Sequence, residues 1–162
     1  MLKLSAEMLS DDLRRGHGPF LKRRRAIAGL SIFSCTVLGG VALFQIGAFK
    51  HLPGPPLPGF DPEQVHGSPE AYRYFGIPDA FLGMASYAVT ACLAAMGAND
   101  RARWIPLAMA SKTLLDSAMA SKLLAEEAVT LRKFSLRSLL VAAATFTALS
   151  LALPEASRAW RS

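Results

Sequence analysis

Four apolar stretches, each fenced by polar residues, set the plan of the chain. Hydrophobic side chains dominate residues 26–49, 78–96, 105–125 and 138–153; the first, second and fourth have the length, about 16 to 24 residues, of helices that cross a bilayer. The segment 50–77 between the first two carries Pro53, Pro55, Pro56, Pro58, Pro62 and Pro69, so it is predicted to be an extended loop and not a helix interior. Its Phe60, Val65, Tyr72, Tyr74 and Phe75 give it aromatic and apolar surface to fold back on the helices as a cap. Ahead of the first run, Leu4, Met8, Leu9 and Leu13 recur at helical spacing among Lys3, Glu7, Asp11 and Asp12, which predicts a short helix lying on a membrane surface or covering a partner. The expected fold class is an all-α integral membrane protein: a four-transmembrane-helix bundle with a long Pro-rich extracytoplasmic loop. Its expected parts are a basic, amphipathic cytoplasmic arm (1–25), a membrane domain (26–153) and a cytoplasmic tail (154–162).

The first run begins behind Lys22, Arg23, Arg24 and Arg25 as a signal peptide would, but it exceeds the roughly 7 to 15 residues of a signal core. Its Gly29, Gly39 and Gly40 suit helix packing, so it is read as a retained span. The second span is predicted to start at Pro78, with Gly83, Ala85, Ser86 and Ala88 allowing close helix approach. Asn99, Asp100, Arg101 and Arg103 make a short turn before Trp104 at the next membrane interface.

The third run is interrupted by Lys112, Asp116 and Lys122, and a charge near the bilayer centre costs roughly 2.5 to 3.5 kcal/mol on insertion scales. Lys112 and Asp116 stand one helical turn apart, as do Lys122 and Glu126, so each pair can neutralise itself or face a wet interior. An intramembrane ion pair of Lys112 and Asp116 reads either as a site or as a structural pair, and a transporter-like proton relay is a third reading. A segment this polar also leaves open a three-span arrangement.

Net charge changes the picture less than its size suggests. The chain of 162 residues is 52% hydrophobic with a formal charge of +6, yet Arg14, Arg15 and the 22–25 run lie just before the first span, where basic residues orient membrane helices. Anionic lipid headgroups are the expected partner of that run and nucleic acid is excluded. Both termini are expected in the cytoplasm of a bacterium, with the chain in its inner membrane. Arg132, Lys133 and Arg137 would then lie outside, against the rule, marking an anionic ligand, an acidic partner or the missing third span. Cys35 and Cys92 stand alone in separate runs and read as small buried hydrophobes. His17, His51 and His66 lack ligand spacing, so no metal is expected.

The string 76–83, Gly-Ile-Pro-Asp-Ala-Phe-Leu-Gly, followed by Tyr87, resembles the signature of the vitamin K epoxide reductase family, and so does the order of spans, long loop with a Ser-Pro (Ser68, Pro69), and short turn over roughly residues 22–155. That resemblance implies a quinone cofactor, a structural hinge at Gly76, Pro78 and Gly83, and a relay from a loop cysteine pair to a CxxC at the start of the fourth span. Here the position similar to the CxxC reads Ser135-Leu136-Arg137-Ser138, or Phe134 and Arg137 if the alignment slips by one, and the loop before Ser68 reads Asp-Pro-Glu-Gln-Val over 61–65. Thiol exchange needs a sulfur nucleophile and a sulfur leaving group, so no catalytic residue is assigned. The expectation is a family member without redox activity, holding a quinone or lipid near Phe60, Tyr72, Tyr74, Phe75, Tyr87, Ser135 and Ser138, or serving as an accessory subunit of a membrane-protein complex. The alternative is a quinone-linked thiol–disulfide oxidoreductase that borrows thiols.

Overall fold

A computed structural model describes residues 6–99 and 101–161; Lys3, Leu4 and Asp100 lie outside the described residues. It is all-helical, with α1 (Ala6–Arg15), α2 (Leu21–Gln45), α3 (Pro62–His66), α4 (Asp79–Ala95), α5 (Trp104–Glu126) and α6 (Leu136–Arg161). A 3₁₀ turn (Pro69–Tyr72) precedes α4, and a π turn (Glu127–Leu131) closes α5. Among the described residues the one extended pairing is an isolated bridge between Phe60 and Phe134. Two helices, α2 and α6, are long and apolar enough to cross a membrane, and α4 is a shorter apolar helix.

The four long helices form a bundle in which α2 packs on α4 and α6, and α5 on α6. Small side chains allow it: Ala144, Ala148, Ala152 and Ala156 recur every four residues along α6 and are all buried, so they form one face for close approach. A Cβ on Gly83 would meet Leu38 Cδ1 at 2.8 Å, whereas Gly29 and Gly40 face open space. The packing role expected of those two glycines is therefore not theirs; they sit on the outward face of α2.

At the end of the bundle carrying both termini, the basic run is partly structural. Arg24, 3% exposed, donates from Nε to Ala94 O (3.0 Å), from one terminal nitrogen to Ala98 O (3.0 Å) and from the other to Met96 O and Gly97 O (3.0 and 2.6 Å). These carbonyls close α4, and the planar guanidinium supplies the donors their helix end lacks. Arg101 adds a bidentate pair with Glu155 at 2.8 and 2.6 Å and a bond to Leu93 O at 2.8 Å. The Asp12 carboxylate accepts from Asn99 N and Nδ2 (2.9 and 2.8 Å), which docks α1 on the turn.

At the opposite end the loop is more structured than its prolines suggest. Asp61 caps α3 by accepting from Gln64 N at 3.0 Å, and Pro62 occupies the first turn, where no N–H is needed. Phe134 N donates to Gly59 O and Asp61 N to Phe134 O (2.8 and 3.1 Å), while Arg137 reaches Pro53 O at 2.7 Å. The loop is thus fastened to the start of α6. Pro78 takes the cap position and α4 begins at Asp79, one residue after the expected start.

Candidate functional site

Gln45, at the end of α2, organises the loop end. Its Nε2 donates to His66 O (3.1 Å) and Asp79 Oδ1 (2.7 Å), its Oε1 accepts from Ala80 N (3.3 Å), and its backbone carbonyl accepts from Tyr72 Oη (3.0 Å). One residue therefore ties α3, the 3₁₀ turn and the start of α4. The hinge turns through two left-handed residues, Phe75 (φ 57) and Gly76 (φ 66); the first is unusual for a bulky side chain and holds the Phe75 ring outward, 90% exposed.

Between this clasp and α4, α5 and α6 lies a cavity of about 390 Å³, within the range of small-molecule sites. Its walls are mostly apolar, with Leu38, Val41, Met119 and Leu123 among them, and polar groups gather at two places. At the loop end stand His66, Asp79, Glu127, Arg137 and Ser138; deeper, Ser86, Tyr87 and Asp116. Of the residues expected to hold a ligand, Tyr74, Phe75, Tyr87 and Ser138 reach this wall. Phe60, Tyr72 and Ser135 do not. Phe60 packs tilted against Phe134 with centroids 6.4 Å apart, Tyr72 is spent on Gln45, and Ser135 is fully buried behind the lining. Gly83 lines the cavity from α4.

The deep polar group is closed on itself. Lys112 Nζ lies 2.6 and 2.7 Å from the two oxygens of Asp116 and 2.6 Å from Ser86 Oγ. Ser86 Oγ and Thr90 Oγ1 donate to Asp116 at 2.8 and 3.1 Å, and Tyr87 Oη meets Thr145 Oγ1 at 2.7 Å. The ion pair is thus a hydrogen-bonded brace between α4 and α5. Lys122 lies at the loop end, near Tyr74 Oη (2.5 Å) and Glu126 (3.8 Å).

The loop-end polar group is a chain. His66 Nε2 meets Ser135 Oγ at 2.9 Å, Ser135 Oγ accepts from Arg137 N at 3.2 Å, and Glu127 Oε2 accepts from Ser135 N at 3.1 Å. Burial, and then the charge of Arg137, push His66 down to about 4, so the imidazole is neutral at pH 7. Burial raises Glu127 above the ordinary carboxylate range, against the hydrogen bonds from Ser138 and the Ser135 backbone that pull it back. Sequence reasoning missed Gln45 and His66 as parts of this end. Gln45 carried a signal, as a lone polar residue at the end of an apolar run; His66 carried none, because its partners lie 21 and 69 positions away.

Neither cysteine lines the cavity. Cys35 Sγ faces Met84 O at 3.4 Å in the middle of the α2–α4 contact, and Cys92, exposed, lies eight residues further along α4. That offset is about 12 Å of helix axis, too far for two cysteines whose Cα atoms must come within about 7 Å to bridge. Among the described residues no cluster of histidine, cysteine and carboxylate could hold a metal.

The sequence model of the vitamin K epoxide reductase family matches residues 25–153, well over half of the chain. No curated protein and no solved structure matches it.

Proposed function

The chain belongs to the vitamin K epoxide reductase family, and we propose that within this membrane family it binds a quinone without performing thiol–disulfide exchange, as an accessory or carrier subunit. The single observation that carries the reading is the cavity: roomy, mostly apolar, polar at two places, and lined by no sulfur nucleophile. Apolar walls suit a flat ring and its tail, and the polar groups at the loop end suit a ring oxygen. With the arm in the cytoplasm, the loop and the cavity mouth face the far side of the membrane, and Phe75 lies where a lipophilic ligand would enter. The four long helices are read as four spans, the Lys112–Asp116 brace making α5 tolerable in the bundle.

The test is extraction in mild detergent followed by mass spectrometry of bound small molecules and proteins, for the wild type and for Ala120→Phe, which fills the cavity from α5. Quinone that accompanies the wild type and is lost from the variant supports the reading. A wild-type chain that is folded yet carries and takes up no quinone contradicts it.

A further inference from the structure

The hydrogen-bond chain at the loop end fixes which proton His66 carries. Ser135 Oγ has one proton and accepts from Arg137 N. Its proton needs an acceptor, and at 0% exposure no water can serve. Among the described residues the one acceptor within reach is His66 Nε2, at 2.9 Å. Were Nε2 to carry the proton instead, the Ser135 hydroxyl would be a buried donor with nothing to receive it, at a penalty that protein interiors avoid. The ring is neutral at pH 7, so its proton sits on Nδ1.

Nδ1 has no hydrogen-bond partner among the described residues, and it is not a sealed-off atom: Ser34 Oγ is the one buried side-chain polar atom there without a partner. His66 lines the cavity, and an unsealed, unpartnered Nδ1 on that ring has the cavity as the open space it can meet. The ring is held in place from two sides, by Ser135 on Nε2 and by Gln45 on the backbone carbonyl.

Resting on the quinone reading above, we propose that His66 is a specificity-determining residue that presents a fixed N–H donor to the cavity and so selects the oxidised, carbonyl-bearing ligand over its hydroquinone. A quinone carbonyl is a strong acceptor and brings no proton. A hydroquinone oxygen is the weaker acceptor for that donor, and its own O–H must share the Asp79 or Glu127 carboxylate with Gln45 Nε2 or with Ser135 N and Ser138. One good hydrogen bond kept or lost corresponds to about tenfold in affinity. The site would release its ligand once that ligand is reduced.

Two measurements test this. The first needs no ligand: ¹⁵N NMR of histidine-labelled protein at pH 7, with the His66 signals identified by their loss in His66→Gln. Protonated Nδ1 with bare Nε2 is expected; the opposite tautomer overturns the inference. The second compares equilibrium binding of 2-methyl-1,4-naphthoquinone and of its hydroquinone, kept reduced under argon. Preference for the quinone by about tenfold is expected, preserved in Ser135→Thr, which keeps the hydroxyl, and collapsing toward unity in Ser135→Ala, which frees the tautomer. Equal binding of both forms by the wild type overturns the selectivity while leaving quinone binding intact. Binding of neither form overturns the quinone reading, and this inference with it.

Discussion

Replacing Arg24 by Met keeps the length and apolar bulk of the side chain and removes its donors. Four carbonyls lose the Arg24 donor, and those of Ala94 and Ala98 are bonded by buried nitrogens. Leaving a buried acceptor unsatisfied costs about 1 to 3 kcal/mol, so two of them imply a loss of about 2 to 6 kcal/mol. With about 2 to 4 °C per kcal/mol for a chain of this size, the midpoint of thermal unfolding in detergent should fall by roughly 10 °C. Arg24→Lys should fall between, because a lysine offers three rotatable donors where arginine holds five in a fixed plane. Arg23, exposed on the same run, is the control, and Arg23→Met should shift the midpoint by no more than about 1 °C. The assay is unfolding followed by circular dichroism and by retention on size exclusion. Equal, small shifts for Arg24→Met and Arg23→Met would refute the reasoning and return Arg24 to a purely topological role.

Three further outcomes are expected. Because His66 has a folded-state value near 4 against about 6.5 unfolded, the unfolded chain binds more protons between those values; stability should fall as pH drops from 6.5 to 4, by up to about 3 kcal/mol. Glu127, raised, acts the opposite way, its cost being relieved as pH falls, so the difference between wild type and His66→Gln isolates the histidine; parallel pH profiles would refute it. Asp116→Asn should cost about 3 kcal/mol, since it leaves the Lys112 ammonium without its counter-charge, and Lys112→Met with Asp116→Leu should recover most of that; a single variant as stable as the wild type would mean the brace is not structural. Gly83→Leu should destabilise by more than 1 kcal/mol, because Leu38 lies 2.8 Å from the first added atom, whereas Gly40→Leu, facing open space, should leave the melting midpoint almost unmoved.

The long helices were legible because each is a nearly unbroken apolar run, a signal that depends on neighbours in sequence. The cap at the α4 end was not. Arg24 reads like Arg23 and Arg25, and only the bundle separates it, by placing α4's last carbonyls 70 or more positions away in sequence against one of three adjacent arginines. The loop's prolines concealed α3, although the Asp61–Pro62 start was a cap signal in plain view. At the site, Tyr87 and Ser138 were readable from the family motif and the vacated CxxC. Ser135 was read as a ligand contact by the same logic, but it turns away from the cavity and supports His66 instead. The Lys112–Asp116 spacing was visible; that Ser86 and Thr90 complete it required α4 and α5 side by side.

The most direct test of the central claim is quinone reduction by dithiothreitol, measured together with quinone affinity, in the purified wild type and in the Cys35→Ser, Cys92→Ser double variant. The account predicts that both proteins bind quinone equally and that neither raises the reduction rate above that of dithiothreitol alone. Reduction that the wild type accelerates and the double variant does not would contradict it and make this chain a thiol-dependent reductase.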